Sequence, residues 1–253
     1  MGTLFHITIY QPIYNLLVFV YNIVPDFGIA IIIITIFIKF LLIPLSRKQI
    51  ESQKKMQELQ PKIKELQAKY KNDKEKQSRA MVELYKESKS NPFSGCLPMI
   101  IQLIFLIAIY RVLFNISEAG LIINPIDLYS FIPNPGQINK MFLGMVDLSS
   151  ALNFSSLALS SLPHIILVLL AAGSQFIQTK MLMAKQINNT NKKNEDDFAQ
   201  IMSKQMLFLG PILTLFIGIK FPAGLALYWL ISTVFMIVQQ KQMEKGETLE
   251  ITK

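Results

Sequence analysis

The stretch at 27–45 reads FGIAIIIITIFIKFLLIPL, nineteen residues that are nearly all branched or aromatic and carry one charge, Lys39. At ~1.5 Å rise per residue, such a run spans the ~30 Å hydrocarbon core of a bilayer as a helix. A soluble core helix has no need to be apolar on every face. The lone cation is the anomaly. Near the middle of a membrane helix a charge costs on the order of 3 kcal/mol, so it faces protein or water rather than lipid. Lys39 also lies six residues before Leu45, within reach of snorkelling to the nearer interface. Position alone leaves cavity-lining and snorkelling equally open.

Outward from this stretch the chain reads as an all-α integral membrane protein. Of 253 residues, 51% are hydrophobic and 17% charged, a balance that excludes a large soluble domain. Lys and Arg are absent from 1–27, number thirteen in 46–91, fall to Lys140 alone in 115–161, and number five in 180–204. Positive-inside sorting places the two rich segments in the cytoplasm and the poor ones outside.

Before the first span, 9–24 is apolar but carries Gln11, Asn15 and Asn22 within about 40° of one another on a helix, which predicts an interfacial helix in an extracytoplasmic N-terminus, 1–26. After it, 46–91 is charged. Ile50, Met56, Leu59, Ile63 and Leu66 recur at helical spacing, as do Met81, Leu84 and Tyr85, and Asp73 is a candidate N-cap. A helical hairpin, roughly 50–71 and 73–89, follows. Four more spans are expected at 96–114, 162–184, 205–220 and 222–240, with an external loop at 115–161 whose short apolar pieces lie at the interface. A cytoplasmic loop at 185–204 and a short, net-neutral cytoplasmic tail at 241–253 complete the layout.

No Asp or Glu lies inside any of the five spans, which argues against a proton-coupled carrier. His6 and His164 fall at or outside the outer surface, and no HExxH, P-loop, GxGxxG or GxSxG pattern occurs. One cysteine, Cys96, supports neither a disulfide framework nor a Cys-rich metal site. The reading is therefore not an enzyme, with no cofactor and no metal. What remains is a set of polar groups on membrane helices: Lys39, Gln102, Gln175, Gln178, Ser232 and Thr233, with Tyr228 and the single tryptophan, Trp229, on the last span. At this depth such groups join helices or line a wet cavity.

Four blocks then carry a resemblance: TIFIKFLLIPLSRKQ at 35–49, LQPKIKELQAKY at 59–70, NPFSGCLPMIIQLIFLIAIYRVL at 91–113, and FPAGLALYWL at 221–230 with Gln239-Gln240 after it. In this order they resemble the YidC family of membrane protein insertases, including its mitochondrial and chloroplast relatives. The resemblance implies a five-helix core with a cytoplasmic hairpin, enclosing a hydrophilic groove open to cytoplasm and lipid. It implies a plasma-membrane (bacterial inner-membrane) insertase and chaperone for nascent membrane proteins, working without nucleotide or metal.

Carried over residue by residue, the groove would hold Lys39 where the family usually has arginine, together with Trp229, adjacent to Tyr228, and Gln178, or less firmly Gln175; Gln102 and Ser232, polar positions on the spans, are assigned to the same groove. The hairpin would meet clients and targeting factors through cations such as Lys54, Lys55, Lys62 and Lys64. The Sec translocon, a targeting receptor and the ribosome are implied partners; sequence-specific nucleic acid is not. No large extracytoplasmic domain and no long basic tail is expected. A small-solute channel and a non-translocating assembly factor are the rival readings, though no internal repeat supports the former.

Overall fold

The computed structural model describes residues 2–88, 97–152, 159–188 and 198–251. Within these lie eight helices: α1 Thr3–Ile23, α2 Phe27–Leu41, α3 Ile43–Lys69, α4 Lys74–Glu87, α5 Leu97–Glu118, α6 Leu162–Asn188, α7 Phe198–Lys220 and α8 Ala223–Ile251. Helices α1, α6 and α8 contain runs long and apolar enough to cross a membrane, and α2 joined to the start of α3 makes a fourth, bent candidate. The break expected near 91–96, including Cys96, and the middle of the 185–204 loop lie outside the described residues.

The opening apolar stretch does not run straight to Leu45. Helix α2 stops at Leu41, and α3 begins at Ile43 after a bend of 64°. Pro44 explains this, because it has no N–H to offer the carbonyl of Phe40 and its ring would collide there; proline is well suited to the first turn of a new helix instead. Ile43 to Ser46 thus belong to the first hairpin helix, which runs 43–69 rather than from residue 50. Asp73 caps α4 by accepting from the Lys76 amide at 3.0 Å. Burial of Leu59 and Ile63 gives the hairpin its apolar seam, and Gln77 donates to the Gln67 carbonyl at 3.2 Å across it.

Because the hairpin joins the end of α2 to the start of α5, the start of α2 and the end of α5 share the opposite end of the bundle, here termed the loop end. Helix α1 touches both. Tyr10 accepts from Asn115 of α5 at 2.9 Å, while Asp26, three residues past Ile23, is the N-cap of α2. Two contacts at one level, separated by sixteen residues or about 24 Å of helix, set α1 across the loop end. Its length and composition would let it cross a membrane; its contacts lay it sideways.

The polar edge of α1 binds protein rather than headgroups. Asn15 donates to the Asp127 carbonyl at 2.7 Å and accepts from the Tyr129 amide at 2.6 Å. Gln11 also reaches the Asp127 carbonyl, and Asn22 the Pro133 carbonyl. The 115–152 segment is thereby strapped along α1. It continues into a two-stranded antiparallel ribbon, β1 Met141–Phe142 and β2 Val146–Asp147. The carbonyls of Leu148 and Ser150 then accept from the amides of Gly224 and Ala223, satisfying orphan donors at the start of α8.

The core is continuous from α1 through α2 and α5 to α8: Tyr14, Val18, Ile31, Ile34, Val112, Ile116, Leu227 and Tyr228 are all fully buried. Small buried residues, Ala30, Ala108, Ala171, Ala172, Ala223 and Ala226, allow close approach of the helices. On the outside, α7 exposes Phe208, Leu209, Ile212, Leu213 and Phe216, a lipid-facing stripe.

Candidate functional site

Helix α8 is the axis of the site, packed against α2 on one side and α6 on the other. Each flank brings polar groups to it. On the α6 side the Gln175 carbonyl accepts from the indole N–H of Trp229 at 2.9 Å and from the Thr233 hydroxyl at 3.4 Å. The two donors are one helical turn apart on α8, so one amide serves both. Gln175 also lies against Gly210 of α7. Gln178 is half-buried, one turn further along α6. The indole therefore meets Gln175, the residue that the resemblance placed second.

On the α2 side, Thr35 is buried and donates to the Ile31 carbonyl at 2.6 Å. Lys39 follows one turn later, half-buried in the last turn of α2. Because α2 ends at the bend, its terminal carbonyls and their partial negative charge sit within the apolar run; a cation in the last turn is favourable there. Lys39 thus has a structural reason for its place beside any functional one. Tyr228 and Ser232 of α8 are buried, within about 60° on the helical wheel of Phe235, which meets Phe40 of α2. Ser232 Oγ is the one buried side-chain polar atom without a hydrogen-bond partner among the described residues.

At the hairpin end the two flanks are tied off. Ser46, in the first turn of α3, and Gln239 of α8 exchange hydrogen bonds at 2.6 and 2.9 Å, both buried. Gln49 and Gln240 are buried beside them in sequence, and Phe40 meets Phe235 edge-on at 5.3 Å. Lys54 is half-buried on α3, and Lys55 and Lys62 are exposed there. The side chains of Gln102 and Lys64 lie outside the described residues, although both positions are helical.

The sequence reading missed Ser46 and Gln239 as a pair, and Asn15 and Asp26 as loop anchors. The signal for Asn15 was its polarity in an apolar helix, and its partner could not be read from position. No group of three or more metal-binding side chains occurs among the described residues.

The molecule is a multi-pass α-helical membrane protein with polar groups gathered around its last helix. The model of the 60Kd inner membrane protein family matches residues 19–250, and the chain belongs to that family. It is similar to the membrane protein insertase YidC of Citrifermentans bemidjiense, 35% identical over 236 residues, which are 93% of this chain and 36% of that relative. It is similar also to the YidC of Geobacter sulfurreducens, 33% identical over 237 residues, 93% of this chain and 37% of the relative. The chain thus spans little more than a third of these relatives. A crystal structure of an active YidC insertase with its first transmembrane domain resolved shares the fold, with a TM-score of 0.54 at 24% identity over 91% of this chain and 46% of the other.

Proposed function

We propose that the chain inserts newly made membrane proteins into the inner-membrane bilayer, by giving their polar segments a wet, cationic path beside α8. The observation that carries this is the polar lining of α8 on both flanks within an otherwise apolar bundle: Gln175 joined to Trp229 on one side, Lys39 and the unspent Ser232 hydroxyl on the other. Buried polar atoms in a bilayer normally satisfy one another. A hydroxyl with bonding capacity left over suits a site that exchanges partners with water and a passing chain.

The physical effect is a lowered barrier. A polar tail crossing ~30 Å of hydrocarbon loses the hydration of its backbone and charges. Polar groups part-way across, with a cation to attract an acidic tail, shorten the dehydrated path. No chemical step is required of any residue. In this reading the charge-rich hairpin and the 185–204 loop face the cytoplasm and the loop end faces outside, following the distribution of Lys and Arg. The hairpin cations Lys54, Lys55, Lys62 and Lys64 meet clients and targeting factors. The Sec translocon and the ribosome are partners by the same proposal, and Gln102 belongs to the lining.

The test places photo-crosslinking residues at Lys39 and Trp229 and presents ribosome-bound nascent chains of a short single-span protein. Both positions should crosslink, and both crosslinks should vanish when the client's hydrophobic segment is deleted. In liposomes, Lys39→Ala should slow insertion of a client with an acidic tail several-fold more than one with a neutral tail, and Lys39→Arg should restore it. Crosslinks from the hairpin alone would leave a capture factor and sink the groove.

A further inference from the structure

The loop-end segment projects several large apolar side chains although its backbone is well anchored. Its backbone polar groups point toward the protein, where Asn15, Asn22, Tyr14 and Asp26 hold them. Ile123, Ile132, Ile138, Val146 and Leu148 are buried, but other large apolar side chains of the segment point away. Ile126 is 83% exposed and Phe131 77%, and Leu143 and Met145 at the ribbon turn are also exposed. Large apolar groups this exposed on one segment mark a contact where they gather.

The ribbon turn adds a second observation. Leu143 has φ of 51° and Gly144 of 69°, so a leucine occupies the left-handed region that suits glycine or asparagine. The Leu143 amide is held at 2.9 Å by the Asp26 carboxylate, which also caps α2 at the Ile29 amide. The strained turn is therefore over-determined by its anchors and keeps two apolar side chains projecting. Phe131 stacks on Tyr129 at 5.6 Å, and tyrosine is enriched at membrane–water boundaries.

We infer that Ile126, Phe131, Leu143 and Met145 form a membrane-docking rim seated in the lipid leaflet at the loop end. Lipid is the occupant because candidate membrane-crossing helices that meet this segment also expose apolar side chains. Phe19 and Ile23 are exposed on α1, which lies across the same end, and exposed Leu159 leads into exposed Leu162 and Ile166 at the start of α6. Charge does not oppose this: Lys140 and Asp147 neutralise each other at 2.7 Å at the base of the ribbon. The rim and α1 would act together as a raft, fixing the depth of the bundle at that end. The inference rests on the membrane reading and not on insertion activity.

The experiment places single cysteines at Phe131, Met145 and Lys71 in a Cys96→Ser background. Lys71 lies in the hairpin turn and serves as the water-facing reference. Bimane-labelled protein is reconstituted in vesicles of phosphatidylcholine and phosphatidylglycerol containing lipids with a nitroxide near the headgroup. Labels at 131 and 145 should be quenched several-fold more strongly than at 71, with a depth profile centred about 5–10 Å below the surface. Quenching at 131 and 145 no greater than at 71, with equal access to aqueous iodide, overturns the rim. Shielding of these positions only after another membrane protein is added would assign the surface to that protein instead of lipid. None of these readings needs a client, so they stand apart from the crosslinking result.

Discussion

The Gln175 carbonyl serves two donors, and only one of them is well aligned: the Trp229 indole at 2.9 Å, against 3.4 Å for the Thr233 hydroxyl. Replacing the amide by an apolar group of similar shape leaves both donors without an acceptor, a larger loss than the net value of one bond. Gln175→Leu should therefore free the indole to reorient, whereas Gln175→Glu keeps an acceptor in place. Trp229 is the only tryptophan in the chain, so its emission reports this site alone. In Gln175→Leu the emission maximum and anisotropy should both shift, with little change in Gln175→Glu; identical spectra for the two would mean that the bond does not position the ring. Sequence reading brought Gln175, Gln178 and Trp229 into one set, because polar residues on an apolar helix are few. It could not choose between the glutamines. They stand three apart on one face of α6, and the choice depends on how α6 is rotated against α8, which packing decides.

At the level of elements, the Asp73 cap was readable because its cause is local, whereas Pro44 was read as closing the first span and instead opens α3. What the sequence did not reveal is the strapping of the 115–152 segment along α1, since Asn15 and Asp127 are 112 residues apart and neither carries a motif. An ion pair, Lys140–Asp147, helps to pin the β-ribbon in that segment. Burial works to raise the Asp147 carboxyl, but hydrogen bonds from Lys140 and Ser149 outweigh it and hold the group below the usual carboxylate range. A carboxyl depressed by folding contributes stability that is fully present above its unfolded value of about 3.9 and is lost as pH falls through the folded value. The thermal midpoint of the parent in detergent should therefore exceed that of Asp147→Asn by a constant margin from neutral pH down to about pH 5, then converge on it below about 3.9. A margin that holds or widens in acid would show that the pair does not pin the ribbon.

Over the whole molecule, hydropathy and the charge distribution foretold a helical membrane bundle because they reflect the solvent, which acts on every residue alike. They say less about thickness, which depends on where helices bend and how they are laid. The described apolar runs are uneven. Those of α6 and α8 are 20 and 21 residues long, about 30 Å at 1.5 Å per residue. Helix α2, with 15 residues before its bend, gives only about 22 Å. A core of ~30 Å must thin beside α2, at fractions of a kcal/mol per ångström of mismatch. If clients cross next to α2 and α8, the distance that matters is set by the protein and not by the lipid. Spontaneous insertion into protein-free vesicles should then fall steeply as the acyl chains lengthen, while insertion in vesicles containing the protein changes little, so the acceleration grows with bilayer thickness. Rates measured for one client in short-, medium- and long-chain phosphatidylcholine decide the matter. Two rates that decline in parallel would mean that the client crosses ordinary bilayer, with the protein acting only as its receptor.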